Sequence, residues 1–219
     1  MSDEEIAAAY EAVPPELLES LKKAIRNIYE YHSRAGRRDN LVTKDGRTTG
    51  YVVRPVSSAG IYAPGGTAPL SSSVLMGVLP AKAAGVGRIV LATPAKGGTV
   101  APLTLVAAKE CGVSEIYKMG GAQAIAALAY GTESVKKVDV IAGPGNIYVT
   151  LAKKEVYGEV GIDMLAGPSE IMIVADGTAE PAYVAADMLS QAEHDVLARA
   201  IVVTTSRVLA EKVGAQVRQ

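Results

Sequence analysis

The sequence predicts an α/β protein in which parallel sheets carry helices on both faces. From Gly60 onward, a unit of strand, glycine-containing turn and helix recurs four times, and strands and helices alternate again after Ser169. Short apolar runs such as Arg88–Thr93 are typical of strands that are buried on both faces. Apolar residues make up 49% of the 219 residues, which is enough for a substantial core.

The first part of the chain has a different pattern. After Pro15, apolar residues recur every three or four positions, which predicts a long amphipathic helix that begins there. Lys44-Asp45-Gly46 is a turn signal between Asn40–Thr43 and Thr49–Arg54, so these two stretches are predicted to form a β-hairpin.

Each of the four repeated units has predicted bounds. The strands are Gly60–Ala63, Arg88–Thr93, Glu115–Met119 and Val138–Ala142, and the helices are Pro69–Ala84, Val100–Cys111, Ala122–Tyr130 and Ile147–Tyr157. Pro80 favours a kink or break in the first of these helices. Right-handed crossovers then predict an open doubly wound sheet that binds ligands at the carboxyl ends of its strands.

The last part of the chain repeats the alternation. It is predicted as strand Glu170–Ala175, helix Pro181–His194, strand Ala200–Thr204 and a helix from Ser206, in which the sequence ends without a stop signal.

Composition excludes several classes of function. Lys and Arg number 22 against 23 Asp and Glu, so there is no basic excess for nucleic acid, and no apolar run is long enough for a membrane span. The acidic N-terminus differs from a signal peptide, and the single Cys111 fits a reducing cytoplasm. We therefore expect small molecules or other subunits as partners.

Glycine loops lie at the predicted carboxyl edge of the sheet: Gly65-Gly66, Gly120-Gly121 and Gly143-Pro144-Gly145. At a helix N-terminus, their backbone N–H groups suit an anion such as a pyrophosphate. None of them is the dinucleotide fingerprint G-x-G-x-x-G, because Tyr148 occupies the position of the third glycine. The alternative is that the glycines allow tight turns and close packing.

Polar residues stand beside these loops. Tyr62 ends the first strand of the repeat, Gln123 opens one helix and Asn146 opens another, and all three are expected to converge on one sheet edge. Their alternative roles are a strand-end tyrosine and two helix caps. Ser169 can bind a substrate or hold a turn.

Near the end of a predicted helix, Gln191 and His194 are three residues apart. That spacing places both side chains on one helix face, where they can hydrogen-bond a polar ligand or supply two zinc ligands. The alternative is an ordinary polar helix end. The sequence contains no Cys–His pair, nucleophile elbow or Walker loop, so hydrolysis and phosphoryl transfer have no support.

Five motifs occur together in a fixed order. They are Ile61-Tyr62-Ala63-Pro64-Gly65-Gly66, Gly120-Gly121-Ala122-Gln123-Ala124, Gly143-Pro144-Gly145-Asn146, Ala166-Gly167-Pro168-Ser169-Glu170 and Ser190-Gln191-Ala192-Glu193-His194. By these motifs the chain resembles the histidinol dehydrogenase family from its N-terminal helix to its last residue. Each motif alone is weak, but the ordered set is specific.

The resemblance implies a function. The family oxidises L-histidinol to L-histidine through the aldehyde, uses two NAD molecules and a zinc ion, and consists of cytoplasmic homodimers with an incomplete Rossmann-like fold. It implies NAD contacts by Tyr62, Gln123 and Asn146, a substrate contact by Ser169, and contacts of Gln191 and His194 with both zinc and substrate.

The resemblance also implies a domain division. Residues 1–59 and 169–219 are expected to form parts of one discontinuous domain, and residues 60–168 the Rossmann-like domain that contacts NAD. Family members are longer at both ends. The family's acid–base Glu-His pair and its Asp and His zinc ligands would lie beyond Gln219, so no catalytic residue is assigned and this chain alone is expected to be inactive. The alternatives are a related dehydrogenase of another polar alcohol, such as sulfopropanediol, and a non-catalytic NAD-binding module.

Overall fold

The computed structural model describes residues 1–36, 39–65, 70–167, 169–194 and 197–218, except the side chain of His194. The chain divides into two compact units, Met1–Ala166 and Gly167–Gln219. The division falls close to the predicted boundary after residue 168. That residues 1–59 belong with residues 169–219 stays a prediction.

The first unit contains six helices and seven strands within its described residues. In chain order they are α1 (Asp3–Ala12), α2 (Pro15–Ala35), β1 (Asn40–Lys44), β2 (Arg47–Tyr51), β3 (Ser58–Tyr62), α3 (Ser71–Ala83), β4 (Arg88–Thr93), α4 (Pro102–Glu110), β5 (Glu115–Lys118), α5 (Gly121–Tyr130), β6 (Val140–Ala142), α6 (Ile147–Val156) and β7 (Gly161–Ile162). The helix α3 continues through Pro80, so the break that proline favours does not occur. The predicted first residue of this helix, Pro69, lies outside the described residues.

Helix α1 was not predicted as a separate element. A capping box starts it, since the Ser2 hydroxyl accepts from the Glu5 N–H and the Glu5 carboxylate accepts from the Ser2 N–H. Tyr10 donates to Glu110 on α4 over 2.6 Å, and burial together with this carboxylate raises the pKa of Tyr10 to about 12. Glu5 also pairs with Lys118 at the end of β5. These contacts attach α1 to the parallel sheet and to α4.

Five strands form one parallel sheet in the order β5-β4-β3-β6-β7. Alternate side chains of β3 enter two separate cores because successive residues of a strand point to opposite faces. Ala59 and Ile61 pack with α3 and α4, whereas Tyr62 packs with α5 and α6. The predicted parallel sheet with helices on both faces is confirmed.

This strand order has a reversal at β3. The chain runs from β3 outward to β5 and then returns to the other side of β3 as β6. In open α/β sheets the crevice at such a reversal, outside the carboxyl ends of the strands, is the usual ligand site. In this sheet it lies between the loops that follow Tyr62 and Ala142.

The second unit is small and is described by itself. It consists of β8 (Glu170–Ala175), α7 (Pro181–His194), β9 (Arg199–Thr204) and α8 (Arg207–Val217). Its two strands are parallel, and apolar residues of α7 and α8 form a core with alternate residues of both strands. Within the described part of the whole chain, no helix combines the length and the apolar character that crossing a bilayer requires.

Cys111 follows α4 directly and is buried. Burial raises the pKa of its thiol to about 12. A thiol that stays protonated at neutral pH is a packed structural residue and not a nucleophile.

Replacing Thr104 by valine is expected to stabilise the first unit. The Thr104 hydroxyl in α4 is buried without a hydrogen-bond partner among the described residues, and valine keeps its shape. Relief of this buried polar group is worth about 1 kcal/mol, measured by urea unfolding. The control is Thr99→Val, since the exposed Thr99 hydroxyl donates to the Lys96 carbonyl over 2.9 Å. Equal stabilisation by both variants would contradict the argument.

Candidate functional site

The loops at the carboxyl edge of the parallel sheet are closely packed against one another. A Cβ atom on Gly65 would lie 2.7 Å from the carbonyl oxygen of Pro94, which follows β4. A Cβ atom on Gly120, which follows β5, would lie 2.6 Å from Cγ of the same proline. Both glycines therefore have a packing function, as the alternative interpretation of the glycine loops predicted.

Among the described glycines of these loops, Gly143 makes the closest approach to a neighbouring backbone. Its φ is +124°, and a Cβ atom there would lie 2.0 Å from the carbonyl oxygen of Tyr62. Only glycine fits a left-handed conformation against another backbone at this distance. The loop after β6 therefore lies directly on the end of β3, which is where the strand order reverses.

Tyr62 contacts the loops that follow β5 and β6 at this edge. Its side chain is buried, with 4% exposure, and its hydroxyl accepts a hydrogen bond from the Gly121 N–H over 3.2 Å. Helix α5 has no side-chain cap, so this hydroxyl satisfies one of its first N–H groups. Tyr62 thus contacts the start of α5 through its hydroxyl and Gly143 through its backbone.

Gln123 and Asn146 are exposed at the starts of α5 and α6. The Gln123 Oε1 atom would lie 2.9 Å from a Cβ atom on Gly121. The Asn146 Oδ1 atom accepts from the Val149 N–H over 3.1 Å, so Asn146 is the N-cap of α6. This cap uses the amide oxygen only, and the amide N–H groups can still donate to a ligand.

An ion pair that the sequence did not predict, with a buried lysine, holds the same loop. Lys153 of α6 is 3% exposed and pairs with Asp163, which is 34% exposed. The Lys153 ammonium donates to the Gly143 carbonyl over 3.1 Å, and Asp163 Oδ2 accepts from the Gly143 N–H over 2.8 Å. A signal was present, since Lys153 lies on the same helix face as the buried Val149 and Val156.

A cavity of about 550 Å³ adjoins the edge on the side of α1. Its walls are mainly apolar and include Ala8, Ala9, Val100 and Leu105, with Gly65 and Lys96 at the loops. The cavity therefore lies next to the carboxyl ends of β3 and β4.

In the second unit, Ser169 is exposed immediately before β8, and Gln191 lies in the last turn of α7. The Gln191 Nε2 atom is buried without a partner among the described residues. His194 ends the same helix, but its side chain, like Asp195, lies outside the described part.

The described residues at the end of α7 fit a metal site only in part. A buried and unpartnered amide suits a ligand role, because buried polar groups are normally bonded and the two ends of an amide are interchangeable in assignment. In the described part of the chain there is no group of three or more His, Cys, Asp and Glu residues that could hold a metal. Of the two predicted zinc ligands only the Gln191 side chain is described, so the metal site stays a prediction.

Comparison with known proteins decides the family. The sequence model of histidinol dehydrogenase matches residues 1–219. The chain belongs to the histidinol dehydrogenase family.

Individual histidinol dehydrogenases are similar to this chain over its whole length or nearly so. That of Moorella thermoacetica is 62% identical over 216 residues, which cover 98% of this chain and 51% of that protein. That of Bacillus subtilis is 56% identical over 221 residues, covering 100% of this chain and 52% of that protein. The crystal structure of histidinol dehydrogenase from Elizabethkingia anophelis matches with a TM-score of 0.93 and 43% identity, and covers 100% of this chain and 51% of that one. The chain thus spans about half the length of these relatives.

A more distant likeness concerns the fold alone. The crystal structure of a putative aldehyde dehydrogenase from Burkholderia cenocepacia has a TM-score of 0.60 with 19% identity, covering 92% of this chain and 43% of that one. The family that the five motifs predicted is confirmed by the match of its sequence model over residues 1–219. The predicted site residues lie in both units. Tyr62, Gln123 and Asn146 belong to the first unit, and Ser169, Gln191 and His194 belong to the second.

Proposed function

We propose that this chain carries the NAD-contacting edge and part of the zinc site of a histidinol dehydrogenase. The reaction is the oxidation of L-histidinol to L-histidine through the aldehyde, with two NAD molecules, in histidine biosynthesis. The observation that carries this proposal is the carboxyl edge of the sheet, where the Tyr62 hydroxyl accepts from the Gly121 N–H at the start of α5 and the Tyr62 backbone lies against Gly143. Membership of the family supports it.

The residues of the first unit would bind and orient NAD. Gln123 and Asn146 are exposed at two helix N-termini, where N–H groups and the helix dipole favour the anionic pyrophosphate. The Asn146 amide would donate to the cofactor while its oxygen caps α6. Tyr62 contributes through its position between the loops and through contact with NAD.

The residues of the second unit would bind zinc and substrate. Gln191 and His194 would be two of the zinc ligands, and Ser169 would hydrogen-bond the substrate. Zinc held there would supply Lewis-acid and substrate-positioning chemistry for the oxidation, with Gln191 and His194 as the residues of this chain that bind it. The buried, unpartnered amide of Gln191 supports this assignment.

We further propose that this chain alone does not turn over histidinol, since none of its residues is assigned the acid–base role. In the longer protein it would act as a cytoplasmic homodimer without nucleic acid or membrane partners. A non-catalytic NAD-binding module is the second candidate, favoured because all three proposed NAD contacts lie within one compact unit. NADH formation from histidinol with added zinc tests both, and robust turnover would refute the inactivity.

Replacing Asn146 by serine is expected to weaken NAD binding about fivefold to tenfold at unchanged thermal stability. Serine keeps an oxygen that caps α6 but removes the amide donor, and one hydrogen bond to a ligand is worth about 1 kcal/mol. Titration calorimetry of the chain with NAD measures the affinity. Asn146→Ala loses both cap and donor and should lower stability as well. Unchanged NAD affinity in the serine variant would remove Asn146 from the site.

A further inference from the structure

We infer that Lys153 and Asp163 are positioning residues for NAD, which they hold through the loop of residues 143–146. The inference rests on the proposed role of Asn146 in cofactor binding. Lys153 is buried, and Asp163 follows β7 at the carboxyl edge of the same sheet. Together they fix the backbone that leads into the N-terminus of α6.

The contacts converge on one residue. Lys153 donates to the Gly143 carbonyl over 3.1 Å, and Asp163 accepts from the Gly143 N–H over 2.8 Å. Asp163 also accepts from the Met164 N–H over 2.7 Å, which fixes the carboxylate on its own loop. Both backbone polar groups of Gly143 are therefore held by the same ion pair.

The conformation of Gly143 explains why such an arrangement is useful. Gly143 has a φ of +124° and lies against the backbone of Tyr62. Glycine can reach this conformation, but it can adopt many other conformations as readily. A flexible glycine needs outside contacts if the loop is to keep one conformation, and strained or unusual conformations persist only where surrounding groups over-determine them. The ion pair supplies those contacts.

Stability alone does not account for this pair. Lys153 is buried whereas Asp163 is 34% exposed, and burying the lysine charge carries a desolvation cost that an apolar residue of similar volume would not have. Lys153 is almost fully buried beside the apolar residues Val149 and Val156 of its own helix. What apolar residues cannot supply is a donor for the Gly143 carbonyl and an acceptor for its N–H.

The geometry links the pair to the ligand edge. Lys153 lies seven residues after Asn146, two turns along the same helix, and its side chain reaches back to the loop that precedes that helix. The loop, the N-cap and the first turns of α6 are thus fixed as one piece. If the loop of residues 143–146 moved, the Asn146 amide would shift with it. Contacts with a ligand require side chains to be placed to within fractions of an ångström.

A second ion pair in the same unit provides a matched control. Arg88 and Glu115 join β4 and β5 through two hydrogen bonds of 2.7 Å, and Arg88 also donates to the carbonyls of Lys136 and Lys137. Arg88 begins β4, so this pair lies at the amino edge of the sheet, opposite the glycine loops. It has the same chemistry without contact to the candidate site.

The test compares Lys153→Met with Arg88→Met in this chain, well below their melting temperatures. We expect NAD affinity, measured by calorimetry, to fall at least tenfold in K153M and less than twofold in R88M. Asp163→Asn, a milder change that leaves the apolar packing of α6 intact, is expected to weaken NAD binding at least threefold. Equal NAD affinities of K153M and R88M would overturn the inference.

Failure of the positioning role can be distinguished from failure of the proposed NAD binding. If the unaltered chain does not bind NAD, the proposed NAD role fails on that measurement. Hydrogen exchange of the Gly143 amide, which Asp163 holds, still tests the positioning role, and we expect exchange at least tenfold faster in K153M than in R88M. Equal exchange rates would overturn the positioning role.

Discussion

Replacing Gly143 by alanine is expected to destabilise the first unit by about 3 kcal/mol or more and to abolish NAD binding. A methyl group there would lie 2.0 Å from the Tyr62 carbonyl oxygen, which belongs to the central strand β3 and cannot swing away as a side chain can. The left-handed backbone adds about 1–2 kcal/mol of strain for any residue with a Cβ atom. Urea unfolding and NAD titration measure the two effects.

Gly158→Ala is the matched control. Gly158 has a φ of +107°, but a Cβ atom there meets nothing within 4 Å. Alanine at this position should cost only the backbone strain, about 1–2 kcal/mol. The difference between the two variants isolates the close approach of the loop to β3. Equal destabilisation would mean that conformation alone determines the need for glycine at residue 143.

Much of the fold was predictable because its elements carry strong local signals. The bounds of β4, β8 and α7 were predicted at both ends, since apolar runs and flanking glycine or proline define them. Strand β7 has only two residues, too few for any periodicity. Helix α1 was missed although Ser2 and Glu5 have the spacing of a capping box.

The site was predictable in place but not in detail. The order of strands and glycine turns predicted a site at the carboxyl edge, and Gln123 and Asn146 are exposed there. The hydrogen bond from Gly121 to the Tyr62 hydroxyl and the ion pair of Lys153 depend on tertiary packing, which no local pattern encodes. The ligand itself was inferred from the order of five motifs, because glycine loops alone do not distinguish a cofactor site from close packing.

Replacing Gln191 by methionine is expected to stabilise the second unit by about 1–2 kcal/mol. The amide nitrogen of Gln191 is buried without a partner among the described residues, which costs about 1–3 kcal/mol, and methionine has similar length and helix propensity. Hydrogen exchange of the α7 amides measures the change. Gln216→Met on α8 is the control, because its amide is not a buried unpartnered group, and it should change stability by less than about 0.5 kcal/mol.

The Gln191→Met substitution is also expected to remove zinc binding. A gain in stability without zinc together with a loss of zinc binding would identify Gln191 as a ligand. Added zinc should raise the melting temperature of the unaltered chain, since a ligand that binds only the folded state stabilises it, and should leave the Gln191→Met variant unchanged. A glutamine with a structural role would show the reverse, with stability lost on replacement. A less stable methionine variant, or one that keeps the zinc-dependent shift, would therefore contradict the ligand assignment. A polar group retained at a cost to stability is explained when its partner is a ligand and not another residue of the chain.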